Sequence, residues 1–167
     1  ILVCLVGSEM CIRDRPEASS PKVSDAMIAL RSQLVVRPVE LAGYLTDSGI
    51  VYRTSETKIV QAKHYRWAHN ISEQITQRVI GELRSKQSQY WPVEVNNLLD
   101  QSGGSKLQLS LSKFNGSYQG NAEIEGEWLI IDASGKVKNS APIKIKMPLQ
   151  DDGYDALVDA LSVGLNN

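Results

Sequence analysis

Hydrophobic positions along this chain follow two periods, and the change from one to the other divides it into elements. Between residues 28 and 39 the apolar and β-branched residues thicken (Leu34, Val35, Val36, Val39), which predicts a first strand ending near Pro38. Residues 41–49 read as a loop carrying Gly43 and Tyr44, and residues 50–53 and 58–65 as two short strands around the polar turn 54–57. Further on, Leu107, Leu109 and Leu111 alternate with Gln108, Ser110 and Ser112, the period of a half-buried strand. Residues 114–120 then connect to a strand with Ala122, Ile124, Gly126, Trp128 and Ile130 on one face and Glu123, Glu125 and Glu127 on the other. After a turn at 132–135, Ile143, Ile145 and Met147 alternate with Lys144 and Lys146. An antiparallel hairpin about that turn sets the glutamate row beside the lysine row, where opposite charges contribute a few tenths to ~1 kcal/mol per pair. That face is expected to be solvated, and the other apolar.

Two segments switch to helical spacing. Asn70 precedes Ile71, Ile75, Val79, Ile80 and Leu83, with Glu73 three positions after the asparagine, a helix-start signature that satisfies free amides. Glu73, Gln77, Arg84 and Lys86 fall on the opposite side, so this helix buries one face. Near the end, Tyr154, Leu157, Val158, Leu161 and Leu165 repeat the pattern behind Asp151 and Asp152, which are expected to cap the helix. The pattern is still running at Asn167, which reads as a possible truncation. Between the helices, residues 90–95 (YWPVEV) predict a short edge strand, because Pro92 cannot donate to a central ladder, and residues 96–105 predict a loop. Two one-sided helices and a one-sided sheet combine as an α+β fold, a two-layer sandwich of a mainly antiparallel sheet with both helices packed on one face.

Charge excludes one class of partner. Lys and Arg total 18 and Asp and Glu 19 in 167 residues, so the net charge is −1. A surface that binds nucleic acid needs a basic excess, and none is present. No apolar run approaches the roughly 18 residues of a spanning helix. Both cysteines, Cys4 and Cys11, lie within residues 1–15, ILVCLVGSEMCIRDR. Neither follows the small residues of a lipoprotein cleavage site, and CLVGSEMCIRDR resembles adapter sequence read as protein. Residues 1–15 are therefore set apart from the fold as an assembly artefact, residues 16–27 read as a flexible lead-in, and residues 28–167 as one domain.

Candidate chemistry is sparse. His64 and His69 are five residues apart across a strand end, a poor arrangement for a shared metal. The chain has no G-x-S-x-G elbow, no G-x-G-x-x-G fingerprint and no phosphate loop. Glu123, Glu125 and Glu127 could suggest acid–base work, but on alternate strand positions a solvated row matched by lysines is favoured. Arg66-Trp67 reads as a core lid more readily than as an epitope. Neither a catalytic set, a cofactor nor a metal site is expected. Tyr44 and Tyr118 in loops, and Trp91 at the sheet edge, are the candidate partner-binding residues.

Taken in order, Gly43-Tyr44-Leu45 with Gly49 through Ser55, Arg66-Trp67-Ala68, Phe114-Asn115-Gly116, Gly126-Glu127-Trp128-Leu129 and Asp152-Gly153-Tyr154-Asp155 resemble the PqiC (YmbA) family. These are auxiliary lipoproteins of MCE-type, ABC-transporter-like intermembrane transport systems in Gram-negative bacteria. The resemblance runs over residues 28–165. It implies a non-catalytic periplasmic domain tethered to the outer membrane by a lipidated N-terminal Cys that is not visible in this sequence. It also implies docking to a PqiB-like MCE-domain protein, an indirect link to a PqiA-like inner-membrane protein, and room for a homo-oligomer. A periplasmic carrier shielding an acyl chain is the alternative, and a periplasmic hydrolase has no specific support.

Overall fold

One long strand organises the sheet, and it grows from the leucine alternation at 107–111. The computed structural model describes residues 2–5, 11–13, 32–96 and 104–165. In chain order the strands are β1 (Leu2–Leu5), β2 (Cys11–Arg13), β3 (Ser32–Val36), β4 (Glu40–Leu41), β5 (Gly49–Arg53), β6 (Ile59–Trp67), β7 (Tyr90–Glu94), β8 (Ser105–Ser117), β9 (Asn121–Ile131) and β10 (Val137–Pro148). Helix α1 (Ile71–Lys86) joins β6 to β7, and helix α2 (Tyr154–Gly164) follows β10. The expected lead-in 16–27, the start of the first strand at 28–31 and most of the loop 96–105 lie outside the described residues.

Strands β8, β9 and β10 form an antiparallel meander that sets the glutamate row beside the lysine row as expected, with Glu123 opposite Lys146 and Glu125 opposite Lys144. The second edge of β8 is shared by three strands in succession, all parallel to it. Leu34 of β3 pairs Ser105, Glu40 of β4 pairs Ser110, and Tyr52 of β5 pairs Gly116. Strand β5 continues into an antiparallel hairpin with β6, and β7 runs parallel to β3. The sheet is mostly but not purely antiparallel. Strand β7 has β3 as its one strand partner among the described residues, the edge position that Pro92 requires. The backbone of β1 adds to β6 through Val3↔Trp67 and Leu5↔Tyr65, with β2 outside it.

Two sequence expectations need correction here. Residues 114–117 were expected to leave the strand, yet β8 runs on to Ser117 and turns at 118–120. The cause is a bulge: Leu111 pairs Gly126 and Lys113 pairs Glu125, so Ser112 is an extra residue. Beyond it the alternation resumes one step out of phase, Phe114 joins Leu109 and Leu111 in the core, and the period-two signal disappears from the sequence. The second correction concerns α2. Its N-cap is Gly153 at φ +107°, with no side-chain cap, and Asp151 and Asp152 lie outside the helix. Asp151 Oδ1 accepts from Asp152 N at 2.8 Å instead. A glycine is needed at 153 because other residues rarely adopt that backbone.

Helix α1 behaves as its pattern predicts. Asn70 accepts a hydrogen bond from Ser72 N at 3.0 Å, and Ile71, Ile75 and Ile80 are buried. Thr76 is also buried; its hydroxyl donates to Ser72 O and accepts from Val39 N at 2.9 Å, tying the helix to the β3–β4 connection. Ile71 and Ile75 of α1 and Leu157, Val158 and Leu161 of α2 share one core with Leu109, Leu111, Phe114 and Ile124. Each such fully buried side chain contributes about 1.5–3 kcal/mol of burial free energy. Trp67 lies in the same core, 6 % exposed and 6.0 Å from the Phe114 ring, as a lid rather than an epitope.

Candidate functional site

The face turned away from the helices is not uniformly wet, and the exception is the most distinctive feature of the molecule. Glu123 was expected in a solvated row with Glu125 and Glu127. Glu127 is exposed and Glu125 half-buried, but Glu123 is only 1 % exposed. The reason is the parallel insertion of β5 beside β8, which sets Arg53 opposite Ser117 and brings its guanidinium over the start of β9. Arg53 Nη2 donates to Glu123 Oε1 at 2.9 Å and to Ser117 Oγ at 3.4 Å. Lys146 Nζ lies 3.6 Å from the same Oε1. Asn115 and Ser117, both buried, complete the floor. Within this cluster Arg53 Nε and Glu123 Oε2 are buried without a hydrogen-bond partner. A buried carboxylate is tolerated only when paired, so Arg53 and Glu123 are mutually obligatory.

Two of the three residues singled out from sequence gather around this pair. Tyr118, in the turn after β8, is 43 % exposed, and Arg53 Cζ lies 5.8 Å from its ring centroid. Its amide donates to Arg53 O at 2.8 Å. Tyr44 sits in the 3-10 turn Gly43–Leu45; its hydroxyl donates to Ser112 O at 2.5 Å, and its carbonyl accepts from Gln61 Nε2 at 2.9 Å. Burial raises the Tyr44 phenol above its ordinary pKa; Arg53 opposes this, while Glu123 and Glu125 add to it. Lys113 Nζ stands 2.8 Å from Glu125, and that hydrogen bond holds the Glu125 carboxyl below its ordinary value.

Trp91 is elsewhere. It lies on β7 with Arg84 over its ring at 4.9 Å, and the same guanidinium donates from Nε and Nη2 to Pro92 O. Strand β3, which carries β7, reaches β8 at residues 105–107, whereas Arg53 meets it at Ser117. At 3.3 Å per residue that is about 30 Å along the strand. Sequence reasoning missed Arg53 and Glu123. The one available signal was Glu123 facing a lysine in the hairpin register; the bulge and the long-range β5–β8 pairing that bury it leave no local trace.

Beside Tyr118 the surface opens into a depression of about 560 Å³. Tyr52, Tyr118 and Tyr154 line it with Leu149, Leu157, Asp151 and Asp152. Gly116 makes this possible, because a Cβ there would stand 2.5 Å from the Tyr52 ring and 2.8 Å from Leu157. Tyr154 is stacked on Tyr65 with centroids 4.4 Å apart. His64 and His69 are both exposed, and no group of three potential metal ligands occurs among the described residues. The arrangement is chemically an aromatic surface, with Tyr118 beside the Arg53 guanidinium and Tyr154 stacked on Tyr65. Rings held in place by stacking and by a fixed guanidinium lose little freedom when a partner covers them.

The sequence model of a family described as "ABC-type transport auxiliary lipoprotein component" matches residues 15–167. The chain belongs to this family. Intermembrane transport lipoprotein PqiC of Escherichia coli strain K12 is 32% identical over 129 residues, covering 77% of this chain and 66% of that protein. The protein of the same name from Shigella flexneri matches to the same extent. The chain thus spans just under two thirds of the curated relatives it matches. A crystal structure of an uncharacterized protein superposes with a TM-score of 0.73 at 28% identity, covering 83% of this chain and 88% of the other. One from Xanthomonas campestris gives 0.69 at 17% identity over 86% and 82%, a likeness of fold. The transport auxiliary lipoproteins are not a known enzyme family, and the resemblance read from the ordered segments agrees with this membership.

Proposed function

We propose that this domain is the docking component of an intermembrane lipid transport system, and that it holds a periplasm-spanning MCE-domain protein at the outer membrane. A lipid on an N-terminal cysteine outside this sequence supplies the anchor, and an inner-membrane PqiA-like protein is reached through the MCE partner. The observation that carries the reading is Tyr118, which is exposed and braced on an arginine that is itself fixed by a buried glutamate. Exposed aromatics on a rigid base are where interface energy concentrates. Residues 28–167 act in this reading as one unit, and residues 1–15 lie outside it.

The test is binding of the MCE protein from the same organism to immobilised domain. Tyr118→Ala is expected to weaken it at least about tenfold, the loss of one interface hot spot, and Tyr44→Ala to weaken it less. Trp91→Ala reports whether the surface extends to the β7 edge, and unchanged affinity there confines docking to the Arg53 end. Undiminished binding by both tyrosine variants would remove the proposed surface. Native mass spectrometry of delipidated protein offered phospholipid addresses the carrier alternative, and a stoichiometric adduct would replace the docking reading with it.

A further inference from the structure

We propose that the depression at the start of α2 receives a cationic side chain, lysine or arginine, from the docking partner, an inference that rests on the docking reading above. Its lining combines two features that select a cation. Three tyrosines, Tyr52, Tyr118 and Tyr154, bring electron-rich rings to the lining, and Asp151 and Asp152 supply full negative charges; no lining residue is basic. Both aspartates and Gly153 are exposed at the rim, so an incoming charge meets them without a buried partner having to be displaced.

Two nearby positive influences do not reverse this preference. The first turn of α2 opens beside the depression, and its free amides amount to roughly half a positive charge. Asp151 and Asp152 outweigh that, and Asp155 adds a third carboxylate in the same turn. Arg53 lies near the Tyr118 ring, but Glu123 at 2.9 Å balances its charge. The rings are also held in position. Tyr154 is stacked on Tyr65, Tyr52 lies against Gly116, and the Leu149 amide donates to Gly120 O at 2.9 Å, fixing one wall to the other. A protein side chain fits better than a lipid headgroup. Only two aliphatic side chains, Leu149 and Leu157, line it, enough to cover the stem of a lysine or arginine but little for an acyl chain.

The test uses N-acetyl-arginine methylamide as the probe, with the uncharged isostere N-acetyl-citrulline methylamide beside it, followed by amide shifts of Gly120, Asp152 and Tyr154 in 15N-labelled protein. Saturable shifts are expected for the arginine probe, with binding at least about threefold weaker for citrulline, the order of an exposed charge and cation–π contribution. The double variant Asp151→Asn/Asp152→Asn is expected to weaken arginine binding and close most of its gap to citrulline, the rings alone keeping the remainder. Both positions are exposed, so the variant should melt as the parent does. Equal binding of the two probes, or no shifts at these amides, overturns the inference. Phosphatidylethanolamine vesicles shifting the same amides while arginine does not would overturn the assignment to a protein side chain. MCE-protein binding that survives the double asparagine variant but is lost in Tyr118→Ala would sink the cation inference and leave docking standing.

Discussion

Replacing Arg53 by Met removes the hydrogen-bonding partner of a carboxylate that is 1 % exposed. Breaking a fully buried pair in this way costs about 3–5 kcal/mol. Two features lower that figure here. The Arg53 side chain is 19% exposed, so part of its interaction is already screened, and Lys146 stands 3.6 Å from the same oxygen, able to take up some of the charge. The expected loss is therefore about 2–3 kcal/mol, about 5–10 °C in Tm for a domain of this size. The double variant Arg53→Met/Glu123→Leu removes both charges and both unpartnered atoms, Arg53 Nε and Glu123 Oε2. Apolar replacement of a whole buried pair is often neutral or stabilising, so the double variant is expected to recover most of the loss. Urea denaturation of parent, both single variants and the double variant closes the cycle. Additive losses, with the double variant as unstable as the sum of the singles, would refute the claim that the two residues depend on each other. A loss below about 1 kcal/mol in Arg53→Met would place the pair among ordinary surface contacts.

Three further outcomes follow from the same geometry. Gly126→Ala puts a Cβ 2.1 Å from Ser110 O and 2.9 Å from Leu111 Cα; backbone must move, and thermal melts should show a loss of about 1–3 kcal/mol, as for overpacked cores. Tyr44→Phe deletes the hydrogen bond to Ser112 O, about 0.5–1.5 kcal/mol. Because burial raises the Tyr44 phenol, the parent should lose stability as pH rises from 10 through that raised value, a loss absent in the Phe variant and measurable by denaturation at alkaline pH. Glu125 is held low chiefly by Lys113, so its contribution is present above the ordinary carboxylate range and lost as pH falls through the depressed value; Lys113→Met should move the Glu125 titration upward by NMR and shrink that acid-side loss.

The sequence made the periodic parts of this fold legible and hid those that depend on distant pairing. Helix α1 was readable from Asn70 through Leu83 because cap and stripe are both local. The β9–β10 hairpin was readable with its glutamate row beside its lysine row, but three glutamates against two lysines left the register open. Pro92 was enough to put residues 90–95 at an edge. The start of α2 was misread because two aspartates resemble a cap while Gly153 supplies the actual turn. At the site, Tyr44 and Tyr118 were found as loop aromatics. What joins them was not, because Arg53 and Glu123 are 70 residues apart in the chain and meet only through the parallel docking of β5 on β8, in a strand whose alternation the Ser112 bulge interrupts.

The succession of β3, β4 and β5 along one edge of β8 also has a consequence in time. Leu34 waits for Ser105, Glu40 for Ser110 and Tyr52 for Gly116, so although β5 pairs β6 locally and β3 pairs β7, none of the three can join the long strand until residues 105–117 are available. The β8–β10 meander needs only neighbours in sequence and can assemble alone. Loop-closure entropy therefore delays the joining of the N-terminal strands to the meander, and pulse-labelled hydrogen exchange should find the amides of β8 to β10 protected before those of β3 and β4, whose strand partners are all distant in sequence. The residues that brace Tyr118 come from both halves, Arg53 from β5 and Glu123 from β9, so that support is complete only once β5 has docked on β8.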